Sequence, residues 1–269
     1  MLQRNISAMG SGMQAVGTLW IGDRLSFLEQ LCLQSYVDQG QPITLYSYGK
    51  VAGVPHGVEP RDAREVMAGD RILRVRRGRA ALRGSPALHA DMFRLRMLAA
   101  TDLIWADTDA YALRPLTTED GWLIGQRRGR ALNGVLRLPR TSHTLRLLVD
   151  GIDGKLILPG MRGDPESLRW GAAGPDALNL ALELTGEDGH ICDPDRLYPI
   201  PARDKLRLLE PGMAAMPPGA MSIHLWGTNL RAHLARNGGL PPRGSMLDLM
   251  CRMHGIVPRP EDAVPVMAA

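Results

Sequence analysis

Two aspartates, Asp107 and Asp109, directly follow the apolar run of residues 103–106, which has the composition of a buried strand. Carboxylates one residue apart repel each other unless a cation or strong hydrogen-bond donors lie between them. Mg²⁺ and Mn²⁺ prefer oxygen ligands, and they commonly join one or two carboxylates to the phosphates of a substrate. The pair therefore allows a strand-end metal site that holds a diphosphate. The alternative is a turn in which one aspartate caps the next element and the other is solvated.

Other polar residues could belong to the same site. Asp91 and Arg94 share one face of the helix before the aspartate strand, because residues three apart on a helix are neighbours. They form either an ordinary surface salt bridge or part of the site. His224 lies among apolar neighbours far downstream, where it is either a satisfied core histidine or a metal ligand through its neutral imidazole.

An apolar strand that ends in Asp-x-Asp is also found in phosphatases with an aspartyl nucleophile. In those enzymes the motif lies near the N-terminus, usually with Thr or Val two positions after the second aspartate. Here the motif begins at residue 107, and Tyr111 occupies that position. Both features disfavour the phosphatase interpretation.

The elements that must position these residues alternate between strand and helix. Ser26 and Glu29 have the spacing of a capping box, and Gly40 is a natural stop for the helix that they begin. The patterns predict strands over 16–22, 42–48, 71–75, 103–106, 121–126 and 132–139, and a strand or turn over 221–227. They predict helices over 26–40, 87–101, 142–150, 176–185 and 245–255. They also predict a loop with short irregular pieces over 49–70, and functional loops over 159–175 and 211–219. This alternation favours an α/β fold with one sheet between helices.

Composition agrees with a globular chain of 269 residues, since 45% are apolar, 22% are charged and the net charge is +4. Cys32, Cys192 and Cys251 have no zinc-site spacing and imply no disulfide framework. No run of eighteen apolar residues suggests a membrane span. We expect a cytoplasmic protein with a flexible leader over 1–15, one domain over 16–258 and a C-terminal tail over 259–269.

The block of residues 89–116, HADMFRLRMLAATDLIWADTDAYALRPL, resembles the sugar-binding region with the DXD motif in glycosyltransferase family 32. That group includes α-1,4- and α-1,6-sugar transferases and is distantly similar to the glucosylating domains of clostridial toxins. The opening strand, helix and strand, the segment AAGPDALNLALE and the segment SIHLW resemble the family as well. The family's glycine pair and strand tyrosine before the motif are missing here; Thr101, Asp102 and Trp105 stand there instead, which leaves the sugar open.

The resemblance implies a GT-A fold, a Rossmann-like mixed sheet flanked by helices, and transfer from a nucleotide-diphosphate sugar with Mn²⁺ or Mg²⁺. It implies that Asp109 binds the metal directly, and that Asp107 contacts the ribose, or the metal through water. His224 would be a third ligand or a diphosphate contact. Asp91 and Arg94 would hold donor-sugar hydroxyls, with Arg94 near the diphosphate.

The resemblance also implies three further site positions. Trp20 would stack on the base, although a buried core tryptophan explains it equally well. Asn133 and the segment 174–176 would lie near the sugar or acceptor, with Asp176 also suited to start a helix. We therefore predict catalytic roles for Asp91, Arg94 and Asp176. A nucleotide-sugar or glycan-binding protein without turnover is the alternative.

Arginine-rich stretches at 74–84 and 126–130 have two interpretations. They form either a solvated basic face or a surface for an anionic acceptor or bilayer, since lipid-linked glycans are common acceptors in this chemistry. The partners that we expect are a nucleotide-diphosphate sugar, with a UDP-sugar favoured, and a glycan or lipid-linked acceptor. Peripheral contact with the inner face of a membrane is open. Nucleic acid is not expected, because no aromatic residues interleave with the basic ones.

Overall fold

A computed structural model describes residues 13–76, 84–158, 167–168 and 171–259. Residues 1–12 of the predicted leader, 260–269 of the predicted tail and most of the basic stretch 74–84 lie outside these ranges. So do residues 159–166 and 169–170 of the first predicted loop. None of the helices in the described parts of the chain has the length and hydrophobicity needed to span a bilayer.

The central sheet has six strands in the order β3-β2-β1-β4-β7-β6. Strands β1 (Val16–Trp20), β2 (Ile43–Ser47), β3 (Glu59–Asp62) and β4 (Ile104–Ala106) are parallel, and β7 (Arg130–Arg137) and β6 (Leu123–Arg127) continue the sheet antiparallel. Two short strands, β5 (Ala110–Ala112) and β8 (Ser222–His224), form a separate antiparallel ribbon. This mixed sheet confirms the predicted α/β class and is consistent with a GT-A fold.

Helices cover both faces of the sheet. On one face lie α2 (Ala87–Ala100), α3 (His143–Ile152) and α4 (Pro175–Thr185), whose apolar side chains share a core cluster. On the other lie α1 (Phe27–Asp38), α6 (Gly227–Leu234) and α7 (Met246–Met253), which pack with the ribbon, and the single-turn helix α5 (Pro194–Leu197) packs against β6 and β8. The capping box predicted for α1 is present, since the side chain of Ser26 and that of Glu29 each accept a backbone hydrogen bond.

Several predicted elements differ from the structure. The strand predicted over 71–75 is wrong, because Val75 exchanges backbone hydrogen bonds with Gly84 and Ser85 instead of joining the sheet. The loop expected over 49–70 contains β3, an exposed and charged strand without an apolar pattern. Strand β5 and helices α5 and α6 were not predicted, and residue 227 begins α6 instead of ending a strand. All three cysteines are free, as expected.

Candidate functional site

Asp107 and Asp109 lie in the turn between β4 and β5, beyond the carboxyl end of β4. This is where ligands gather in open α/β sheets. The amide of Asp107 donates to the carbonyl of Gly134 at 2.6 Å, which ties the turn to β7. Asp109 is held from the other side, because its Oδ2 accepts from the amide of Gly227 at 2.7 Å and its carbonyl from that of Leu225 at 2.8 Å. Both aspartates are thus fixed by neighbouring backbone.

His224 brings an imidazole to the two carboxylates. It ends β8 and pairs with Ala110 of β5, one residue after Asp109. Its Nε2 lies 3.4 Å from Asp109 Oδ1 and 3.6 Å from Asp107 Oδ2. One ligand atom from each of the three residues lies within 4.8 Å of the others. We call Asp107, Asp109 and His224 the metal cluster.

The cluster fits a divalent cation. Two carboxylates and one imidazole suit ions such as Mn²⁺, and the spacing needs only a small contraction around an ion. The glycine at 134 leaves the required space: a Cβ there would lie 2.8 Å from His224 Nε2 and 3.2 Å from Asp107 Oδ2. A side chain at this position would therefore fill the space beside the ligand atoms.

The other ring nitrogen of His224 is also engaged. Its Nδ1 accepts a hydrogen bond from the amide of Trp226 at 3.1 Å, and Trp226 adopts a left-handed backbone conformation with φ +56° to reach it. Burial lowers the pKa of His224, but the facing carboxylates Asp109 and Asp107 outweigh it and raise that pKa overall. With Nδ1 as an acceptor, the neutral ring carries its proton on Nε2, directed toward the carboxylates.

Arg94 joins the metal cluster to the acidic residue of α2. Its Nη1 donates to Asp91 Oδ1 at 2.6 Å and its Nη2 to Asp107 Oδ1 at 2.7 Å, while its side chain is only 5% exposed. The guanidinium also lies 4.8 Å from the ring centroid of Trp105, whose Nε1 donates to Asp107 at 2.8 Å. Asp91 and Arg94 thus belong to a buried network and do not form an ordinary surface salt bridge.

This network perturbs both carboxyl groups in opposite directions. Burial dominates at Asp91 and raises its pKa, although Arg94 and the amide of Asn133 partly offset the effect. Burial also acts on Asp107, but Arg94, His224 and Trp105 together lower the pKa of that carboxyl. Asp107 is therefore held as the charged form at neutral pH.

A bulge in β7 aims two residues at the site. Ile124 of β6 pairs with Leu136, whereas the next residue, Gly125, pairs with Leu132, so residues 133–135 have no partner on β6. From this bulge, the Asn133 side chain donates to Asp91 Oδ1 at 3.1 Å, and Gly134 lies against His224. Bulges often redirect strand residues next to active sites.

The remaining predicted positions lie around this centre. Gly174 lies against Asp91, since a Cβ there would fall 2.6 Å from Asp91 Oδ2. Asp176 stands in the first turn of α4, as its helix-start interpretation predicted, and accepts from Arg130 at 2.8 Å. Trp20 ends β1 half-buried; its indole Nε1 is buried and has no partner among the described residues. The structure does not bring Asp176 into contact with the metal cluster.

Four residues that shape the site were not predicted to be site residues. Trp105, Gly134, Tyr198 and Trp226 contact the cluster or its network: the Tyr198 ring centroid lies 5.9 Å and that of Trp226 4.3 Å from the His224 ring. A glycine inside a strand pattern, as at 134, signals a bulge or a close approach. No local pattern marks the other three.

A cavity of about 980 Å³ lies away from this centre. It is lined by Met13, Arg114, Arg196 and Met221, among others, at the end of the β5–β8 ribbon remote from Asp109. None of its lining residues belongs to the metal cluster or to the Arg94 network. The cavity is therefore separate from the site around Asp107, Asp109 and His224.

Comparison with known proteins finds likeness among solved structures. The solved structure of the PaToxG glycosyltransferase matches over 64% of this chain and 68% of its own, at 15% sequence identity and a TM-score of 0.43. No protein-family model matches the sequence, and no curated protein matches it. The functional conclusion rests on the geometry of the site.

Proposed function

We propose that this protein is a metal-dependent glycosyltransferase of the GT-A type, similar to family 32. It would transfer a hexosyl group from a nucleotide-diphosphate sugar, with a UDP-sugar favoured, to a hydroxyl of a glycan or lipid-linked acceptor. The observation that carries the proposal is the convergence of Asp107, Asp109 and His224 at the carboxyl end of β4, backed by the buried Asp91–Arg94 pair. We further propose one domain over 16–258, retention of configuration and a cytoplasmic location.

Asp107 and Asp109 would hold the divalent ion, Mn²⁺ or Mg²⁺. When bound, such an ion neutralises charge that develops on a diphosphate leaving group. As a third ligand, His224 would bind through Nε2 with its proton on Nδ1, which would break the hydrogen bond from Trp226. The observed hydrogen bond supports the other option, in which Nε2 donates to the diphosphate.

The chain's own groups would prepare the donor site. Arg94 pairs with both Asp91 and Asp107 and orients them, and its positive charge reduces their mutual repulsion before a substrate binds. Asp91 and Asn133 would then receive donor-sugar hydroxyls, and Trp20 would stack on the base. Asp176 would act at the acceptor side, next to the Gly174 segment.

A nucleotide-sugar or glycan-binding protein without turnover is the second candidate, because every contact named above would serve binding equally well. The two candidates share metal-dependent nucleotide binding. They differ in turnover, because only an enzyme releases UDP from the correct UDP-sugar, slowly by hydrolysis or faster with an acceptor.

A thermal-shift screen of UDP-, GDP- and CMP-sugars with and without Mn²⁺ would identify the donor class. Release of free nucleotide would then be measured with the sugar nucleotide that stabilises the protein. We expect Mn²⁺-dependent stabilisation and measurable turnover, both reduced in Asp109→Ala. The proposal is wrong if no sugar nucleotide shifts the wild type; a shift without turnover favours the binding protein.

A further inference from the structure

The β6–β7 hairpin extends beyond the metal cluster. Strand β7 runs antiparallel to β4, and its residue Gly134 accepts the amide of Asp107. From Gly134 back to Arg130, strand β7 continues past the carboxyl end of β4. These four residue steps span at most about 13 Å, given the rise of a strand residue. The hairpin tip, residues 127–130, thus overhangs the proposed donor site.

Three arginines stand at this tip without any acidic residue between them. Arg127 pairs with Asp195 at 3.2 Å and Arg130 with Asp176 at 2.8 Å. The Arg130 side chain is 62% exposed, so its pairing leaves donors that face solvent. Arg128 is exposed and forms no hydrogen bond or ion pair with the parts of the chain that the structure describes. One cation is therefore available to a ligand.

The backbone places Arg128 at the outermost point of the turn. Arg128 and Gly129 have φ values of +52° and +74°, as in a two-residue turn of type I′. Asparagine or glycine normally occupies the first position, because other side chains are strained there. The Gln126 side chain fixes the turn by accepting from the amide of Gly129 at 2.9 Å. The backbone of Arg128 is thus held in a defined conformation despite the strain.

Asp176 connects the tip to the site. Its partner Arg130 is on the tip, and Asp176 itself lies two residues after Gly174, which touches Asp91. The side chain of Asn179 adds two hydrogen bonds to the backbone of Ala131. These contacts fix the tip over the side of the site where the Gly174 segment lies.

We propose that the hairpin tip binds an anionic group of the acceptor, with Arg128 as the main contact, so that the acceptor of the proposed transferase carries a phosphate. This inference rests on the proposed function. A guanidinium matches the geometry of phosphate oxygens through paired hydrogen bonds. None of the exposed large apolar residues lies at the tip, so the tip lacks the side chains that would insert into a bilayer.

Glucose 6-phosphate is a suitable probe for this site, with glucose as the neutral comparison. Both would be titrated into the full chain with UDP and the diamagnetic ion Mg²⁺ present, while NMR follows the arginine Nε–H signals. We expect the Arg128 signal to move with glucose 6-phosphate and not with glucose. Arg128→Ala should weaken the binding about three-fold, as for an exposed charge pair, and Arg128→Glu about ten-fold.

Arg146→Ala is the matched control, because Arg146 is an exposed arginine on α3, away from the hairpin. Equal weakening in this control, or no movement of the Arg128 signal, would overturn the proposal. Sedimentation with phosphatidylcholine vesicles that contain phosphatidylglycerol tests the other source of phosphate. Loss of sedimentation in Arg128→Glu, with unchanged sugar-phosphate binding, would assign the tip to lipid headgroups and also overturn the proposal.

This experiment distinguishes failure of the proposed function from failure of the acceptor proposal. Failure of UDP to bind the wild type with either Mg²⁺ or Mn²⁺ would remove the proposed function itself. Normal UDP binding in Arg128→Glu, together with sugar-phosphate binding that does not depend on Arg128, would remove only the acceptor inference. Arg128 contacts none of the metal-cluster residues, so UDP binding should not change in its variants.

Discussion

One methyl group added at Gly134 should weaken metal binding while the protein still folds. Its backbone is not in the left-handed region, so alanine can adopt the same conformation. The new Cβ would lie 2.8 Å from His224 Nε2, about 0.6 Å short of the 3.4 Å at which ordinary contact begins. It would also lie 3.2 Å from Asp107 Oδ2. Either the imidazole or the carboxylate must move.

The methyl group would also fill the space beside the ligand atoms, and metal–ligand distances tolerate only about 0.2 Å, so the coordination should be disrupted whether or not His224 is itself a ligand. We expect Gly134→Ala to weaken Mn²⁺ binding about 10- to 100-fold, as changes next to metal ligands commonly do. That range corresponds to about 1.4–2.8 kcal/mol of binding free energy. The side chain of Asp107 is 28% exposed and can move toward solvent, so the cost to folding should be smaller.

The assay is a titration of Mn²⁺ followed by electron paramagnetic resonance, since the signal of the free ion reports the bound fraction directly. Gly189→Ala is the control, because a Cβ at Gly189 would meet nothing within 4 Å. Urea unfolding of the metal-free proteins would show whether the variant is folded. Wild-type affinity for Mn²⁺ in a folded Gly134→Ala protein would refute the proposed position of the ion.

Three further changes test the network and the fold. Arg94→Ala should cost about 3–5 kcal/mol of unfolding free energy in urea, because it leaves Asp91 buried without its partner; a loss under 1 kcal/mol would argue against a buried network. Trp105→Phe keeps the ring but removes a hydrogen bond to the metal cluster, and should weaken Mn²⁺ binding by about 1 kcal/mol; unchanged binding would show that the bond is unimportant. Glu187 accepts from the amide of Thr144, and although burial opposes it, this and similar hydrogen bonds lower its pKa to about 2. The charged Glu187 therefore stabilises the folded protein above the unfolded pKa near 4.5, and this stabilisation is lost as the pH falls toward 2. Glu187→Gln should destabilise the protein by about 1 kcal/mol at neutral pH and by much less near pH 2. An equal loss of stability at both pH values would contradict this.

The elements that the sequence predicted correctly are those with strong local signals. The buried runs of β1 and β4 and the capping box of α1 are written in consecutive residues, so their positions follow from hydrophobic pattern and cap chemistry. Strand β3 is exposed and has no apolar pattern, and it forms because it pairs with β2 at the edge of the sheet. Residues 71–75 show the reverse case, since an apolar alternation there pairs locally and not with the sheet.

The site residues also divide into those with a local sequence signal and those whose positions depend on tertiary contacts. Asp107 and Asp109 could be identified from the strand end that precedes them, and His224 was named as a candidate partner. The position of His224 depends on the pairing of β8 with β5, which joins residues more than a hundred positions apart. The same holds for Trp226, which reaches the imidazole through an unfavourable backbone conformation that only the tertiary structure imposes.

Isothermal titration of UDP into the wild type and Asp109→Asn, each with and without Mn²⁺, tests the central claim most directly. Asparagine keeps the size of the side chain and its acceptor for the amide of Gly227 but removes the charge. We expect UDP to bind the wild type only with Mn²⁺, and that binding to be lost or at least about ten-fold weaker in Asp109→Asn. Equal affinity for UDP in the two proteins, or binding that does not depend on Mn²⁺, would contradict a metal-held diphosphate at the end of β4.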